Sequence, residues 1–236
     1  MKKIFGAVYS GGKDGHIALL RLLERGERIS CLITIDGGSL HNVFFNDLRK
    51  VRVLREHAGL LGLPLLVLRA PGWFSGGENN LPLTIKYLYR AAEKKYGVNA
   101  LCCGASDFDE AGDAASFRAA ASSAGISLET PAASLALADT LEEMKKLGVK
   151  AVIVGVEPKV SPDWLGKDPC SVEFSEYIRE SGERGVCIDG NDFQTLVLES
   201  PAFSGRRITI TGCEKIKVYD SSFLKINKIA VLPCEI

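Results

Sequence analysis

A glycine-rich hexapeptide near the start of the chain contains the residues best suited to bind an anion. Its sequence, Ser10-Gly11-Gly12-Lys13-Asp14-Gly15, follows an apolar segment typical of a buried strand and precedes apolar residues at helical spacing. Adjacent glycines allow backbone conformations in which consecutive N–H groups converge on one point. The amino end of a helix adds partial positive charge, and Lys13 adds a full one. We therefore predict that Ser10 to Gly15 bind a pyrophosphate group.

This hexapeptide differs from the two commonest phosphate-binding loops. It lacks the G-x-x-x-x-G-K-[ST] spacing of nucleoside triphosphatases and the G-x-G-x-x-G spacing of dinucleotide-binding folds. The alternative interpretation is a glycine turn that only starts a helix. Asp14 has two interpretations as well, a magnesium ligand or a carboxylate that favours a helix start.

Other titratable residues suggest further roles. Asp189 and Asp192 lie three residues apart in a glycine-containing segment. One of two nearby carboxylates could remove a proton from an attacking amine, whereas the alternative is an Asx turn around Gly190. His16 is expected to be solvated, with a phosphate contact as the alternative, and His57 is expected on the surface of a helix.

Composition excludes several classes of protein. The 236 residues include 29 basic and 29 acidic ones, and 46% are hydrophobic, which is typical of a folded protein rather than a disordered one. A net charge of zero provides no overall field for nucleic acid, although a local basic patch remains open. No apolar run approaches the roughly 20 residues that span a bilayer. Seven cysteines without a C-x-x-C pair indicate reduced thiols, and a redox or sulfur-transfer cysteine is the alternative. We expect a cytoplasmic protein with no membrane or DNA partner, and a homodimer remains open.

Apolar spacing predicts alternating strands and helices in the first two-thirds of the chain. Predicted strands are Ile4–Tyr9, Arg28–Ile35, Leu65–Leu68, Ala100–Cys103 and Ala151–Val156, and predicted helices are Asp14–Arg25, Asn46–Leu61, Ile85–Tyr96, Ala114–Ala124 and Asp139–Leu147. This order indicates an α/β fold, a Rossmann-like, doubly wound parallel sheet with helices on both faces. Beyond Glu157 the pattern changes to a smaller α+β part. We predict a nucleotide-binding domain over 1–157 and an accessory region over 158–236, packed on it.

The loop Ser10-Gly11-Gly12-Lys13-Asp14 resembles the S-G-G-K-D-S loop of the PP-loop ATP pyrophosphatases. These enzymes, of the adenine nucleotide alpha hydrolase type, cleave ATP between the α and β phosphates and adenylate a substrate. Within this superfamily the chain is most similar to the diphthine–ammonia ligase group. The segments that carry the narrower resemblance are Gly62-Leu63-Pro64-Leu65, Gly97-Val98 leading to Gly104, Trp164-Leu165-Gly166-Lys167, the run Gly185–Thr195, and Ser200-Pro201-Ala202-Phe203.

Several positions differ from that pattern. Gly15 replaces the last serine of the loop, Asp189 and Asp192 stand where the group has glutamates, and Gln194 replaces a carboxylate. The stretch that begins at Asp107 lacks the arginine of the group's D-Y-Q-R. The nucleotide side of the family pattern is thus kept better than the acceptor side.

The resemblance implies an ATP- and Mg²⁺-dependent reaction in two steps. A carboxylate attacks the α-phosphate and releases pyrophosphate, and ammonia then converts the acyl-adenylate to an amide. The implied catalytic residues are Lys13, Asp189 and Asp192. Implied nucleotide contacts are Ser10 to Gly15, Thr34, Ile35 and Gly104, and implied acceptor contacts are His41, Trp164, Phe193, Gln194 and Thr195.

The implied partners are ATP, ammonium and diphthine-bearing elongation factor 2. Two other functions remain open from the sequence. One is a diverged PP-loop enzyme that adenylates another acid or a tRNA base, although the charge balance lacks a strongly basic surface for tRNA. The other is an ATP- or AMP-binding module without turnover.

Overall fold

The first part of the chain alternates strands and helices, as the apolar spacing predicted. The computed structural model describes residues 2–36, 50–69, 81–108 and 113–234. Its elements begin with β1 (Ile4–Val8), α1 (Lys13–Glu24), β2 (Arg28–Asp36), α2 (Lys50–Leu61), β3 (Leu65–Arg69), α3 (Leu81–Tyr96), β4 (Ala100–Cys102), α4 (Asp113–Ser123), β5 (Leu128–Glu129) and α5 (Leu137–Lys146). Sequence spacing missed β5, because two residues are too few to show a period.

The first five strands form one parallel sheet with the order β3-β2-β1-β4-β5. Both faces of this sheet are covered. Leu32 of β2 lies in the core shared with α1 and α2, whereas Ile33 and Ile35 lie in the core shared with α3 and α4. Successive side chains of a strand point to opposite faces, so a strand buried on both faces reads as a continuous apolar run. The predicted Rossmann-like, doubly wound α/β fold is confirmed.

The last four strands form a second, antiparallel sheet. After β6 (Lys150–Val156) come α6 (Val172–Glu183), β7 (Phe193–Glu199), β8 (Arg206–Val218) and β9 (Ser221–Pro233). The order β6-β7-β8-β9 closes into a small barrel. The assignment of 151–156 to the parallel sheet was wrong, because β6 pairs antiparallel with β7 and β9. A short apolar run looks the same in either kind of buried sheet.

The chain passes from the parallel sheet to the antiparallel one between α5 and β6, over residues 147–149, so β6 already belongs to the barrel. The division into domains over 1–157 and 158–236 stays a prediction. One continuous apolar core joins the two sheets and includes Phe5 of β1, Leu19 of α1, Leu196 of β7 and Ile226 of β9. The barrel therefore packs on the α1 and α2 face of the parallel sheet.

Helix ends follow local sequence signals. Gly97 and Gly148, predicted to end helices, have φ angles of 66° and 67°, a left-handed conformation that favours glycine. Ser171 caps α6, since its hydroxyl accepts the Phe174 N–H at 3.2 Å. Across the described ranges, no helix has the length and apolarity needed to cross a membrane.

A series of buried side-chain hydrogen bonds crosses the junction between the two sheets. Tyr9, directly after β1, places its hydroxyl 2.9 Å from Nδ1 of His16 on α1 and 3.0 Å from Nδ1 of His57 on α2. His16 Nε2 lies 2.7 Å from the Ser200 hydroxyl, and His57 Nε2 lies 2.8 Å from the Val197 carbonyl oxygen. Both histidines have no exposed surface, so the expectations of a solvated His16 and a surface His57 were wrong.

The hydrogen positions in this series of hydrogen bonds follow from one fixed acceptor, the Val197 carbonyl oxygen. The Val197 carbonyl can only accept, so His57 carries its proton on Nε2 and accepts the Tyr9 O–H at Nδ1. The Tyr9 oxygen then accepts from Nδ1–H of His16, whose Nε2 accepts the Ser200 O–H. The Ser200 oxygen in turn accepts the Ala202 N–H at 3.2 Å. Every donor and acceptor in this series of hydrogen bonds is therefore paired with both imidazoles neutral.

We expect the folded protein to lose stability in mild acid through His16. Burial lowers the pKa of His16 from 6.5 to about 4. The unfolded chain therefore binds this proton at higher pH than the folded chain, so the stabilisation is complete above pH 6.5 and is lost as the pH falls toward 4. Between pH 7 and pH 4.5, wild type should lose about 2 kcal/mol more free energy of unfolding than His16→Gln.

Urea unfolding at the two pH values measures this difference. Glu143→Gln provides a control, because it removes a carboxylate that pairs with Arg21 away from His16. Equal losses in wild type and His16→Gln would show that His16 does not set the acid sensitivity.

Candidate functional site

The loop between β1 and α1 lies at the point where the direction of strand order reverses. β1 pairs with β2 on one side and with β4 on the other, so the loops after β1 and β4 flank a crevice. Gly11 has φ +78° and lies against α2, where an added Cβ would be 3.1 Å from both His57 Cε1 and Leu54 Cδ2. Gly12 is the N-cap of α1, without a side-chain cap of its own. Gly11 thus has the backbone conformation for which glycine was predicted, whereas the φ angle of Gly12, −83°, is open to other residues.

β7 of the barrel covers the amino end of α1. The Val197 N–H donates to the Gly11 carbonyl oxygen at 2.9 Å, and the Lys13 N–H donates to Oγ1 of Thr195 at 2.9 Å. Thr195 is buried, so its hydroxyl serves as a helix cap supplied from a distant part of the chain. The sequence suggested an acceptor contact for Thr195 and gave no sign of this capping role.

The Lys13 ammonium is directed into the junction between the sheets. The residue is 2% exposed, and Nζ lies 2.9 Å from Oδ2 of Asp14 and 3.3 Å from the carbonyl oxygen of Gly190. Nζ also stands 4.9 Å from the centre of the Phe193 ring. A carboxylate, a carbonyl and an aromatic face together compensate for the loss of water around the charge. Lys13 is therefore held in place at the loop rather than mobile.

The segment from Asp189 to Asp192 forms the wall opposite Lys13. Oδ1 of Asp189 accepts the Asn191 N–H at 2.7 Å, which is an Asx turn, and Oδ2 of Asp192 accepts the Asp189 N–H at 2.8 Å. Nζ of Lys159 lies 3.4 Å from the Asp192 carboxylate. The turn expected as the alternative thus exists and directs the Gly190 carbonyl toward Lys13. A proton-accepting role for either carboxylate stays a prediction.

Gly104, after β4, touches the first turn of α1. A Cβ on Gly104 would lie 2.2 Å from the Gly15 nitrogen and 2.3 Å from the Asp14 carbonyl carbon, which no side chain could tolerate. By contrast, a Cβ on Gly15 would lie 3.7 Å from Tyr9 Cδ2 and from the Val8 oxygen, an ordinary contact. Packing therefore requires glycine at 104 and leaves room for the family's serine at 15.

The other predicted nucleotide contacts lie near the same edge of the sheet. Thr34 is 1% exposed, and its Oγ1 has no hydrogen-bond partner among the described residues. Ile35 is buried in the core under α3 and α4, so only its backbone could meet a ligand on the α1 face. Ser10 is partly exposed, and the Asp14 side chain is 42% exposed beside Lys13. Within the described residues no cluster of three or more metal-binding side chains occurs.

The residues predicted to contact the acceptor differ in how exposed they are. Phe193 is 1% exposed and packs edge-on against Phe174, whereas Gln194 is partly exposed. Trp164 packs against Phe174 and already has the Lys167 ammonium 4.7 Å from its ring centre. A ligand cation would therefore compete with Lys167 for that face. His41 lies outside the described residues.

An arginine from a different helix reaches the Asp107 stretch. Nη2 of Arg118 on α4 donates to Oδ1 of Asp107 at 2.6 Å, and Nη1 donates to the Thr130 hydroxyl at 2.8 Å. The stretch itself lacks the arginine of the family pattern. Sequence reasoning missed this partner because residues 107 and 118 are joined only through the fold.

Burial makes three of the seven cysteines poor candidates for thiol chemistry. All seven are free. Burial raises the pKa of Cys31 to about 12 and that of Cys170 to about 11, and it holds the pKa of Cys102 well above its usual value. These thiols stay protonated at neutral pH, and a thiol is a poor nucleophile.

The fold and loop define this chain as a doubly wound α/β protein with a glycine loop at the switch point of its parallel sheet. No protein-family model and no curated protein matches the chain. Among solved structures, it is similar to a predicted subunit of tRNA methyltransferase from Methanocaldococcus jannaschii, with 16% identity and a TM-score of 0.44. The alignment covers 85% of this chain and 100% of that one. At this TM-score, function must be inferred from the site itself.

Gly104→Ala should displace the amino end of α1. The added methyl group would overlap the Asp14–Gly15 backbone, and overpacking of this kind costs about 1–3 kcal/mol. Gly59→Ala, within α2 and with nothing within 4 Å of its Cβ, should leave stability unchanged or raise it by up to about 1 kcal/mol. Denaturant unfolding of both variants measures the difference, and equal stabilities would rule out the close approach at Gly104.

Proposed function

We propose that the protein binds ATP at the Ser10–Gly15 loop and transfers its adenylyl group to a carboxylate, with release of pyrophosphate. One observation supports this most directly, the buried Lys13 ammonium held beside a glycine loop at the amino end of α1. A helix end and a lysine placed together favour a group with several negative charges. The close approach of Gly104 keeps the loop after β4 next to the same atoms.

Lys13 would act electrostatically in this reaction. Negative charge builds up on the α-phosphate and on the leaving pyrophosphate as the carboxylate attacks. Contacts with Asp14, Gly190 and Phe193 fix the ammonium before the reaction, so little reorganisation is needed when the charge develops. The amide groups of the loop would add their dipoles.

Two features of the site fit a nucleotide. The Thr34 hydroxyl, which has no partner among the described residues, lies near the end of β2, where the family resemblance places adenine. A buried hydroxyl gains from a polar ligand atom. Asp14 is partly exposed beside Lys13 and could hold Mg²⁺ directly or through water. When bound, such an ion would neutralise charge on the phosphates.

The narrower proposal is an AMP-forming amide ligase of the diphthine–ammonia ligase type, acting in the cytoplasm. It is supported by the segment resemblances and by the position of Asp192 two residues after Gly190, whose carbonyl oxygen contacts Lys13. Asp192 is 7% exposed and could take a proton from ammonium before amide formation. Diphthine-bearing elongation factor 2 is the first acceptor to test, and another carboxylic acid is the alternative.

A non-catalytic nucleotide-binding module is the second candidate. The observation that favours it is the Lys13 N–H, which Thr195 already caps. A site that only binds a nucleotide needs fewer aligned groups than one that transfers its adenylyl group.

Lys13→Met should reduce the release of AMP and pyrophosphate by about 10²–10³-fold, because it removes the charge that stabilises the transition state. Purified protein, Mg·ATP, ammonium and the diphthine-bearing factor would be incubated together, and AMP, pyrophosphate and amide would be measured. Lys94→Met, on the exposed end of α3, is the matched control and should act as wild type.

Unchanged turnover in Lys13→Met would refute the adenylyl-transfer proposal. Tight ATP binding by wild type without AMP formation, across a panel of carboxylic acids, would favour the binding module.

Asp192→Asn should keep ATP affinity and lower amide formation by about 10²–10⁴-fold. The asparagine oxygen can still accept the Asp189 N–H, so the turn persists while the base is lost. Lys159→Met removes the ionic partner of Asp192 but keeps the Asp192 carboxylate, so it tests the ion pair separately from the proposed base. Similar losses in both variants would indicate that the ion pair, rather than a base, is what matters.

A further inference from the structure

The hairpin formed by β8 and β9 carries a local positive charge that the rest of the chain balances. Residues 206–233 contain six lysines and arginines and two acidic residues, in a chain of zero net charge. Four of these basic side chains are exposed, those of Arg206, Lys215, Lys217 and Lys228. The strand register pairs Lys215 with Leu224 and Lys217 with Ser222 on one face, whereas Lys228 pairs with Gly212 beyond a bulge and lies on the other face. The neutral composition therefore conceals a basic surface.

The tip of this hairpin carries an exposed aromatic ring at a strained position. Tyr219 is the first residue of the two-residue connection between β8 and β9, and its φ angle is +53°. Glycine is favoured at such a position because a side chain is disfavoured in the left-handed region. The Tyr219 side chain is nonetheless 84% exposed. A strained conformation that keeps most of an aromatic ring in solvent points to recognition.

A cavity opens at the mouth of the barrel beside this tip. Its volume is about 410 Å³, within the usual range for small-molecule sites. One side is apolar and consists of Val156, Pro158, Val160 and Pro162, and the hairpin contributes Lys217, Asp220 and Ser222. Glu157 completes the lining, with one carboxylate oxygen held by the Ser221 hydroxyl.

We propose that this barrel mouth binds an unpaired nucleotide within a single nucleic-acid strand. The observation that distinguishes this from simple charge attraction is the juxtaposition of lysines, an exposed aromatic ring and a half-apolar cavity. Single-strand binding proteins combine cations that follow the backbone with aromatic rings on which bases stack. Lysines alone would also protect an exposed strand edge from aggregation, but that role does not need Tyr219 or the cavity.

Each part of the surface then has a defined contact. Lys215 and Lys217 would neutralise phosphates, and Tyr219 would stack on a base. Asp220 and Glu157 accept hydrogen bonds, so they favour bases with an exocyclic amino group, such as cytosine, over uracil. This surface is independent of the proposed ATP site, and binding to it requires no nucleotide turnover.

Fluorescence anisotropy with a labelled 12-nucleotide oligocytidylate, without ATP, tests the proposal. Tyr219→Gly should weaken binding roughly tenfold, because stacking on an aromatic side chain contributes on that scale. The same change should leave the thermal midpoint of unfolding unchanged or raise it, since glycine relieves the strained φ angle. Lost affinity with retained stability separates recognition from a folding defect.

Charge variants and competing probes complete the test. Lys215→Gln with Lys217→Gln should reduce the slope of log affinity against log salt by about 1.4, whereas the matched pair Lys94→Gln with Lys146→Gln should not change it. Oligouridylate and a duplex of equal length should bind more weakly than oligocytidylate. Oligodeoxycytidylate distinguishes DNA from RNA as the source of the strand, and tighter binding of either supports the proposal.

Two results would overturn it. One is an affinity of Tyr219→Gly equal to that of wild type. The other is polyglutamate binding as tightly as oligocytidylate, which would identify an acidic protein surface as the partner. Neither result bears on AMP formation at Lys13.

Discussion

The burial of the amino end of α1 against β7 is the interaction on which the rest of the site depends. The first amide groups of a helix have no partner within the helix, and they need one when water is excluded. Here Thr195 caps the Lys13 amide, and Val197 bonds to Gly11. The barrel therefore completes the loop. Removing it would expose the backbone of the Ser10–Gly15 loop and the Lys13 side chain together.

The buried polar groups around this junction restrict how the two sheets can pack. An unsatisfied buried donor or acceptor costs about 1–3 kcal/mol, so the chain from Ser200 through His16, Tyr9 and His57 to Val197 is stable only when complete. Its direction is fixed by the Val197 carbonyl, which cannot donate. A small rotation of the barrel would break several of these bonds together, whereas an apolar junction could slide. The barrel therefore holds β7 in one position against the Ser10–Gly15 loop.

Local signals predicted the parallel sheet well, and long-range partners could not be predicted. Gly97 and Gly148 end their helices as predicted, and the apolar spacing after Lys13 predicted α1. These features could be predicted because the contacts responsible lie within a few residues. By contrast, the burial of His16 and His57 depends on Ser200 and Val197, more than 130 residues away. The same limit explains the assignment of residues 151–156 to the wrong sheet, since β6 finds its partners after residue 193. Within the candidate site, the Ser10–Gly15 loop could be predicted from the sequence, whereas the contacts that β7 makes with it could not.

The Thr195 cap is compatible with an anion at the same helix end. A hydroxyl is a neutral acceptor, and hydrogen bonds from N–H groups to charged oxygens are roughly twice as strong as those to neutral ones. A phosphate oxygen could therefore take over the Lys13 amide, while the Thr195 hydroxyl, which can also donate, turns toward the phosphate. A carboxylate at position 195 would instead compete with the anion and repel it. The neutral cap keeps the loop ordered and leaves the positive potential of the helix end available to an anion.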